Sequence, residues 1–116
     1  MARTEIDVEQ VSINGLDDPS GDAGIADGHK FQNNGNVLLR IDNDDAAPHT
    51  VTFQTQQELE GFAVEDHDVT IAAASTEWYG PFKDIFNVRS GADRGMVYID
   101  YEDSEEEHLT VTVFRI

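Results

Sequence analysis

The stretch that decides the fold is Val69 to Phe82, VTIAAASTEWYGPF. Small apolar residues alternate with polar ones at its start, and its end carries the densest aromatic cluster of the chain, beside a Gly-Pro pair. Because every second residue of a strand lies on the same face, the stretch predicts one half-buried strand. That strand would deliver the single tryptophan, Trp78, into a Gly-Pro turn.

Alternation of apolar and polar residues predicts further strands on both sides of this stretch. Before it, NVLLRID (Asn36–Asp42) and HTVTFQT (His49–Thr55) predict a β-hairpin, because the residues between them are typical of a turn. After it, MVYIDY (Met96–Tyr101) and HLTVTVFRI (His108–Ile116) each align apolar residues on one face. Residues Thr4–Asn14 alternate twice with a change of parity, which indicates a bulge or two short strands.

The segments between these strands are polar. Residues 15–30, GLDDPSGDAGIADGHK, are rich in glycine and aspartate and predict a long acidic loop, which we expect to dock on, or be ordered by, a partner. Gln56–Phe62 contains helix formers but is too short for an independent helix, and Glu102–Glu107 predicts a charged turn. About seven short strands without a long amphipathic helix predict a single all-β domain over residues 1–116, a β-sandwich of immunoglobulin-like or jelly-roll-like type.

Composition excludes several classes of function. The 116 residues suit one domain, and the absence of cysteine removes disulfides and thiolate metal sites. No apolar run approaches the ~20 residues of a membrane span, and acidic residues near the start argue against a signal peptide. With 24 acidic residues against seven isolated basic ones, the formal net charge is −17, so we expect neither nucleic acid nor membrane as a partner.

The excess of acidic residues also suggests that the protein works at high ionic strength. At low ionic strength, self-repulsion on this scale destabilises a compact state, whereas at molar salt the Debye length falls to ~3 Å and the repulsion is largely screened. Only two of the seven basic residues are lysines, and aspartate outnumbers glutamate. We therefore favour a salt-loving source over an acidic mesophilic protein.

No motif predicts catalysis or a metal site. His49 follows a turn in the way of the first copper ligand of cupredoxins, but blue copper also needs a cysteine thiolate, so a satisfied, half-buried histidine is the better interpretation. Neither acidic cluster has the spacing of a calcium loop; the clusters are Asp17, Asp18 and Asp22, and Asp42, Asp44 and Asp45. We expect no cofactor, no metal ligand and no catalytic residue, and hence no enzyme.

The aromatic set has two interpretations. Its four members fill one end of the core, or they form an interface, since Trp and Tyr often dominate protein contacts. In the second interpretation, substitution of Trp78 or Phe82 would weaken assembly without unfolding the domain. The candidate interface residues are Trp78, Tyr79, Phe82 and Phe86.

From Phe31 onward, the sequence resembles small structural proteins of tailed viruses that are encoded near the major capsid protein. The pattern comprises short Gly, Pro, Asn and aromatic elements at fixed spacing between generic strands. The matching residues here are Asn34 and Gly35; Gly61, Val64 and Asp66; Val69 and Ile71; Gly80, Pro81 and Phe82; Phe86 and Asn87; Gly95, Val97 and Tyr101; and Arg115 and Ile116.

The resemblance implies a virion structural protein, most plausibly a head decoration or cement protein that binds the outside of the major capsid protein lattice. It would be made in the host cytoplasm, here of a haloarchaeon, and would sit on the capsid as an oligomer or as copies repeated by the lattice. The acidic loop, Lys83 and the EDSEEE insertion depart from the pattern. A turret, vertex or head-tail neck component therefore stays open, as does a small cupredoxin-like or carbohydrate-binding module.

Overall fold

A computed structural model describes residues 3–17, 21–25, 27–55, 58–59, 62–63, 66–83, 86–89, 91–101 and 108–115. Over this part of the chain the protein is all-β, with two sheets packed face to face around one core, and the predicted β-sandwich is confirmed. None of the described residues form a helix long and apolar enough to span a membrane.

The strands are short and follow each other closely. In chain order they are β1 (Thr4–Glu5), β2 (Val8–Gln10), β3 (Asp22–Ala23), β4 (His29–Gln32), β5 (Val37–Asn43), β6 (His49–Phe53), β7 (Glu58–Leu59), β8 (Phe62–Ala63), β9 (His67–Ile71), β10 (Thr76–Tyr79), β11 (Met96–Tyr101) and β12 (Leu109–Arg115). The first sheet has the order β1-β4-β11-β6-β9, and the second has the order β10-β5-β12-β2, with β3 also paired to β12. Strands β7 and β8 pair with each other.

The centre of the second sheet is the antiparallel pair β5 and β12. Their register runs over seven residue pairs, and the residues of β5 alternate strictly between buried and half-buried. This alternation turns every second apolar side chain toward the other sheet. The fully buried core includes Phe31, Leu39, Ile41, Val51, Phe53, Ile71, Val97, Ile99, Val111 and Val113.

The predicted hairpin of Asn36–Asp42 with His49–Thr55 is wrong. Strand β5 pairs with β12 and β10 in one sheet, whereas β6 pairs with β11 and β9 in the other. The turn between β5 and β6 therefore carries the chain across the roughly 10 Å between packed sheets. Periodicity reports which face of a strand is buried, and two strands that face the same core from opposite sheets have the same pattern as a hairpin.

The prediction of one strand through Val69–Phe82 is also wrong. The chain turns at residues 72–75, where Ala74 has a φ of 53°. Strand β9 before the turn belongs to the first sheet, and β10 after it belongs to the second. Small residues at the turn let the chain cross between the sheets, so Ile71 and Tyr79 face the core from opposite sides.

The acidic segment 15–30 is only partly a loop. Asp22 and Ala23 form β3 on the edge of β12, and His29 and Lys30 begin β4. The parity change near Glu9 is resolved as two short strands, because β1 pairs with β4 in one sheet and β2 pairs with β12 in the other. The predicted turn at Glu102–Glu107 lies outside the described residues.

The side chain of Asn43 forms hydrogen bonds with the turn between β5 and β6 and with the turn between β9 and β10. Its side chain is 3 % exposed, and its Nδ2 group donates to the carbonyl oxygens of Ala47 (2.9 Å), Ile71 (3.2 Å) and Ala72 (3.2 Å). Its Oδ1 accepts from the backbone N–H of Asp45 at 3.0 Å. One amide thus ties the end of β5 to the turn between β5 and β6 and to the turn between β9 and β10.

Substituting Asn43→Ala should lower the free energy of unfolding by about 3 kcal/mol, because it removes the hydrogen-bond partner of the buried Ile71 carbonyl and of three partly buried backbone groups. Chemical denaturation followed by circular dichroism measures the loss. Asn36→Ala, at an exposed turn position, is the matched control and should change stability by less than about 0.5 kcal/mol. Equal effects of the two substitutions would contradict this role for Asn43.

Candidate interaction surface

The four predicted interface residues do not lie together. In β10, Tyr79 points into the core and packs on Phe53 at 5.8 Å between ring centroids, so its neighbour Trp78 points to the outer face of the second sheet. Trp78 is 56 % exposed. The turn after β10 then returns Phe82 to the interior. The structure therefore separates Trp78 from the other three aromatics.

Phe82 is a core residue. It is 5 % exposed, and its ring packs edge-on against Phe53 (5.1 Å), Phe31 (5.4 Å) and Phe86 (5.6 Å). Deleting such a ring costs about 3–5 kcal/mol. Substitution of Phe82 would thus act on folding, and Trp78 alone of the four offers a largely exposed ring to a partner.

Trp78 belongs to a small aromatic and aliphatic surface that we call the Trp78 patch, formed by Leu38, Arg40, Trp78 and Phe114. The indole lies 5.4 Å from the Phe114 ring between centroids, with 32° between the planes. The Arg40 guanidinium lies 5.8 Å from the Trp78 centroid and 5.4 Å from the Phe114 centroid. Phe114 is only 7 % exposed, although its side chain lies on the outer face of the sheet.

Strand register assembles the patch. Trp78 of β10 lies opposite Arg40 of β5, and Leu38 of β5 lies opposite Phe114 of β12, so the four side chains occupy two adjacent rows on one face. Arg40 is held in place by a bond from its Nη2 to the Thr112 hydroxyl at 3.3 Å and by Asp42, 3.5 Å from its Nε. The patch therefore spans the edge strand β10 and the two central strands β5 and β12, and its side chains are held in place before any partner binds.

The outer face of the first sheet has a different character. Arg3 pairs with Asp100 at 2.6 Å and covers the Tyr98 ring at 4.4 Å. Lys30 and the Tyr98 hydroxyl both bind Asp93, at 2.8 and 2.6 Å, and these contacts lower the pKa of Asp93 and raise the pKa of Tyr98. Charged and polar groups here satisfy each other, whereas the second sheet presents an exposed aromatic ring.

Several residues that carry the family resemblance converge at one end of the sandwich. The Asn33 Nδ2 group donates to the Phe82 carbonyl (3.0 Å) and to Asn87 Oδ1 (2.7 Å), and Asn33 Oδ1 accepts from the Gly35 N–H (3.0 Å). Gly80 has a φ of 125°, and a Cβ there would lie 2.6 Å from the Val37 carbonyl oxygen, so glycine is required. These contacts fix the turn that follows Trp78. Gly61, Val64 and Ile116 lie outside the described residues.

Three of the four described histidines have hydrogen-bonding partners in the protein. His49 is buried, with its Nε2 atom 2.8 Å from Asp45 Oδ2, which agrees with its interpretation as a satisfied histidine. His108 Nδ1 lies 2.9 Å from Asp44 Oδ1 and its ring stacks on that of His49. His29 bonds to the Tyr101 hydroxyl at 2.7 Å. Within the described residues, no group of three or more His, Asp or Glu side chains is arranged to hold a metal ion.

Burial and hydrogen bonding shift the pKa values of these groups. The pKa of His29 is lowered by burial, which disfavours the imidazolium form, and burial raises the pKa of Tyr101. The pKa of Asp45 is lowered, chiefly because its carboxylate accepts a hydrogen bond from His49 and another from the Ala46 N–H. His29 and Tyr101 thus remain neutral, and Asp45 remains ionised, at pH 7.

Sequence reasoning missed three members of the patch. Leu38 and Phe114 are apolar residues at outward positions of strands whose inward positions are also apolar, in NVLLRID and TVTVFRI. This second apolar series is the signal that could have found them. No sequence pattern indicates that Arg40 belongs to the patch, because its position beside two aromatic rings depends on the pairing of β10, β5 and β12.

Comparison with known proteins adds no relationship. No protein-family model, no curated protein and no solved structure matches this chain.

The acid side of the stability profile should depend on Asp45. A carboxyl whose pKa is lower in the folded than in the unfolded state stabilises the fold above the unfolded value of about 3.9, and this contribution is lost as the pH falls through the folded pKa. We expect Asp45→Asn to have a lower free energy of unfolding than the wild type near pH 6, and this difference to shrink as the pH falls below the unfolded pKa of about 3.9 and through the lower folded pKa. Urea denaturation across this range measures it.

Asp17→Asn, at an exposed position, is the matched control and should give a difference that stays small at every pH. A stability difference for Asp45→Asn that does not change with pH would contradict the link to ionisation.

Proposed function

We propose that this protein is a virion structural protein that decorates the outside of the capsid of a tailed virus, where it binds the major capsid protein. The proposal rests on the resemblance from Phe31 onward for the class of protein, and on the exposed ring of Trp78 for the binding surface. The all-β sandwich is compatible with this role and does not distinguish it from others.

The observation that carries the proposed binding role is the exposure of Trp78. Large aromatic rings that stay exposed on a rigid scaffold are typical of the centre of protein interfaces. The ring is supported from behind by Phe114 and Arg40, so little conformational entropy remains to be lost when a partner covers it. One such patch is small, and decoration would gain strength from many modest contacts repeated over the lattice.

A carbohydrate-binding module is the second candidate. The same exposed indole could stack on a sugar ring, and polar side chains lie beside it: Thr76 donates to Asp42 in the adjacent row, and Arg40 lies opposite Trp78. A sugar-dependent rise in the melting temperature, abolished in Trp78→Ala, would favour this function over decoration.

The acidic composition suggests the host. With a formal net charge of −17, the fold gains from screening, and a particle of a haloarchaeal virus would meet high salt outside its host cell as well as inside. We propose such a virus as the source.

Purified particles should contain this chain in a copy number comparable with that of the major capsid protein, as quantified by mass spectrometry. Trp78→Ala should weaken rebinding to particles stripped of the protein by at least about tenfold, because the aromatic contact is lost. Its melting temperature should stay close to that of the wild type, since the ring lies outside the core.

Ile13→Ala removes another exposed apolar side chain, outside the patch, and is the matched control that should rebind normally. A handful of copies per particle would instead indicate a neck, vertex or turret component, and complete absence from particles would overturn the virion proposal. Equal rebinding of Trp78→Ala and the wild type would refute the role of the patch.

Stability should rise with salt. Raising KCl from about 0.1 M to about 2 M shortens the Debye length from ~10 Å to below ~3 Å and screens the acidic surface, so the melting temperature should increase by several degrees or more. Sucrose at matched osmolality stabilises proteins without screening charge and serves as the control. A flat response to KCl, or an equal rise in sucrose, would argue against a halophilic origin.

A further inference from the structure

Strand β10 ends the second sheet, and among the described residues its one neighbour is β5. The pairing is antiparallel, with Trp78 opposite Arg40 and, by the same register, Ser75 opposite Asn43. The Asn43 N–H donates to the Ser75 carbonyl at 2.9 Å, so this is a hydrogen-bonded pair. No strand of the described part of the chain pairs with the other side of β10.

The register decides which backbone groups face that edge. In an antiparallel ladder, hydrogen-bonded and non-hydrogen-bonded pairs alternate. Because Ser75 belongs to a hydrogen-bonded pair, Glu77 and Tyr79 also turn their N–H and C=O groups toward β5. The N–H and C=O groups of Thr76 and Trp78 therefore point away from the sheet, and no hydrogen bond within the described residues satisfies them.

On the same side of the sandwich, the edge strand of the first sheet is β9, and it carries an exposed charged side chain. Strand β9 exposes Asp68, whose carboxylate accepts a bond from the Thr52 hydroxyl at 2.7 Å. Charged side chains on an edge strand are a common protection against pairing with another chain. The outward side chains of β10 are Thr76 and Trp78, and neither is charged. The one charged side chain of β10, Glu77, faces inward, so within the described residues this edge is unpaired and carries an exposed aromatic ring.

We propose that β10 accepts an extended segment of a partner protein as an additional strand of the second sheet. Main-chain bonds to Thr76 and Trp78 would hold the segment, and its side chains would alternate as those of β10 do. On the outer face a side chain beside Trp78 would be apolar, and on the inner face a side chain beside Glu77 would be basic.

Charge identifies the occupant as a segment with alternating basic and apolar residues. Glu77 lies on the edge strand, Asp42 lies opposite Thr76, and the whole chain carries a formal charge of −17. A second copy of this chain would bring the same charge to the contact, and its repulsion disfavours pairing of two β10 edges. The proposal extends the function proposed above by naming how the capsid protein would be held; the edge itself does not depend on that identity.

Proline at position 76 tests the edge. Proline lacks an N–H, and at position 76 the missing group points outward, so the ladder with β5 is left intact. Thr76→Pro should lose at least about tenfold in affinity for stripped particles, while Thr76→Ala, which also loses the hydroxyl, keeps its affinity. Circular dichroism and melting temperature establish that both variants are folded. Equal binding of two folded variants overturns the proposal.

A peptide test needs neither the particle nor a substitution. The probe is a capped peptide of about eight residues that alternates valine and lysine. At low salt it should shift the backbone amide resonances of Thr76 and Trp78 and change the Trp78 fluorescence, and a valine and glutamate peptide of the same length should bind far more weakly. Peptides N-methylated on all valines, or on all lysines, remove the N–H groups of one edge each, so one should lose binding and the other keep it.

The outcomes separate the two proposals. Peptide binding without particle binding by the wild type would overturn capsid decoration and support the edge. Equal affinity of both N-methylated peptides and the unmethylated one would overturn strand addition, even if Trp78→Ala still fails to rebind particles. Self-association of the wild type that is lost in Thr76→Pro but kept in Thr76→Ala would also overturn the proposal, because the occupant would then be a second copy of this chain.

Discussion

The amide of Asn43 is the contact on which the arrangement of the two sheets depends. The turn after β5 and the turn between β9 and β10 both carry the chain from one sheet to the other, and both are bonded to this side chain. The Ala74 N–H adds a bond of 3.0 Å to the Asp45 carbonyl, which joins the two turns directly. A buried amide with every group satisfied can fix one relative position of two sheets, which apolar packing alone leaves less specific.

The hydrogen bonds of Asn43 also help to position the proposed binding surface, because they hold the start of β10. The strand starts directly after Ser75, whose carbonyl is bonded to the Asn43 N–H, and it ends directly before Gly80, which lies close to the Val37 carbonyl. Between these points, Tyr79 packs into the core and forces Trp78 outward. The exposure of the indole is thus a consequence of strand period and of two fixed ends, and a partner would meet a ring whose position is already determined.

The sequence was sufficient for the fold class and insufficient for the topology. Alternation located β5, β6, β11 and β12, because the buried face of a strand has the same period in any sheet. Alternation could not distinguish a hairpin within one sheet from a turn that crosses between the two sheets. It also predicted β9 and β10 as one strand, through the alanines of residues 72–75. The candidate site was predicted as one aromatic set. Trp78 and Tyr79 lie on opposite faces of the sheet because they are adjacent residues of one strand. Phe82 lies in the core because the chain turns at Gly80.

High salt would shape the kind of contact that such a surface can make. At molar ionic strength, ion pairs farther apart than ~3 Å contribute little, so an acidic protein cannot rely on long-range attraction to hold its partner. Burial of an aromatic ring and main-chain hydrogen bonds at a sheet edge do not depend on unscreened charge. A chain with a net charge of −17 that exposes Trp78 on β10, a strand whose outer edge is unpaired among the described residues, combines a solvated surface with the type of contact that salt leaves intact. In this environment the acidic side chains keep the surface solvated, while the apolar and main-chain contacts supply the affinity.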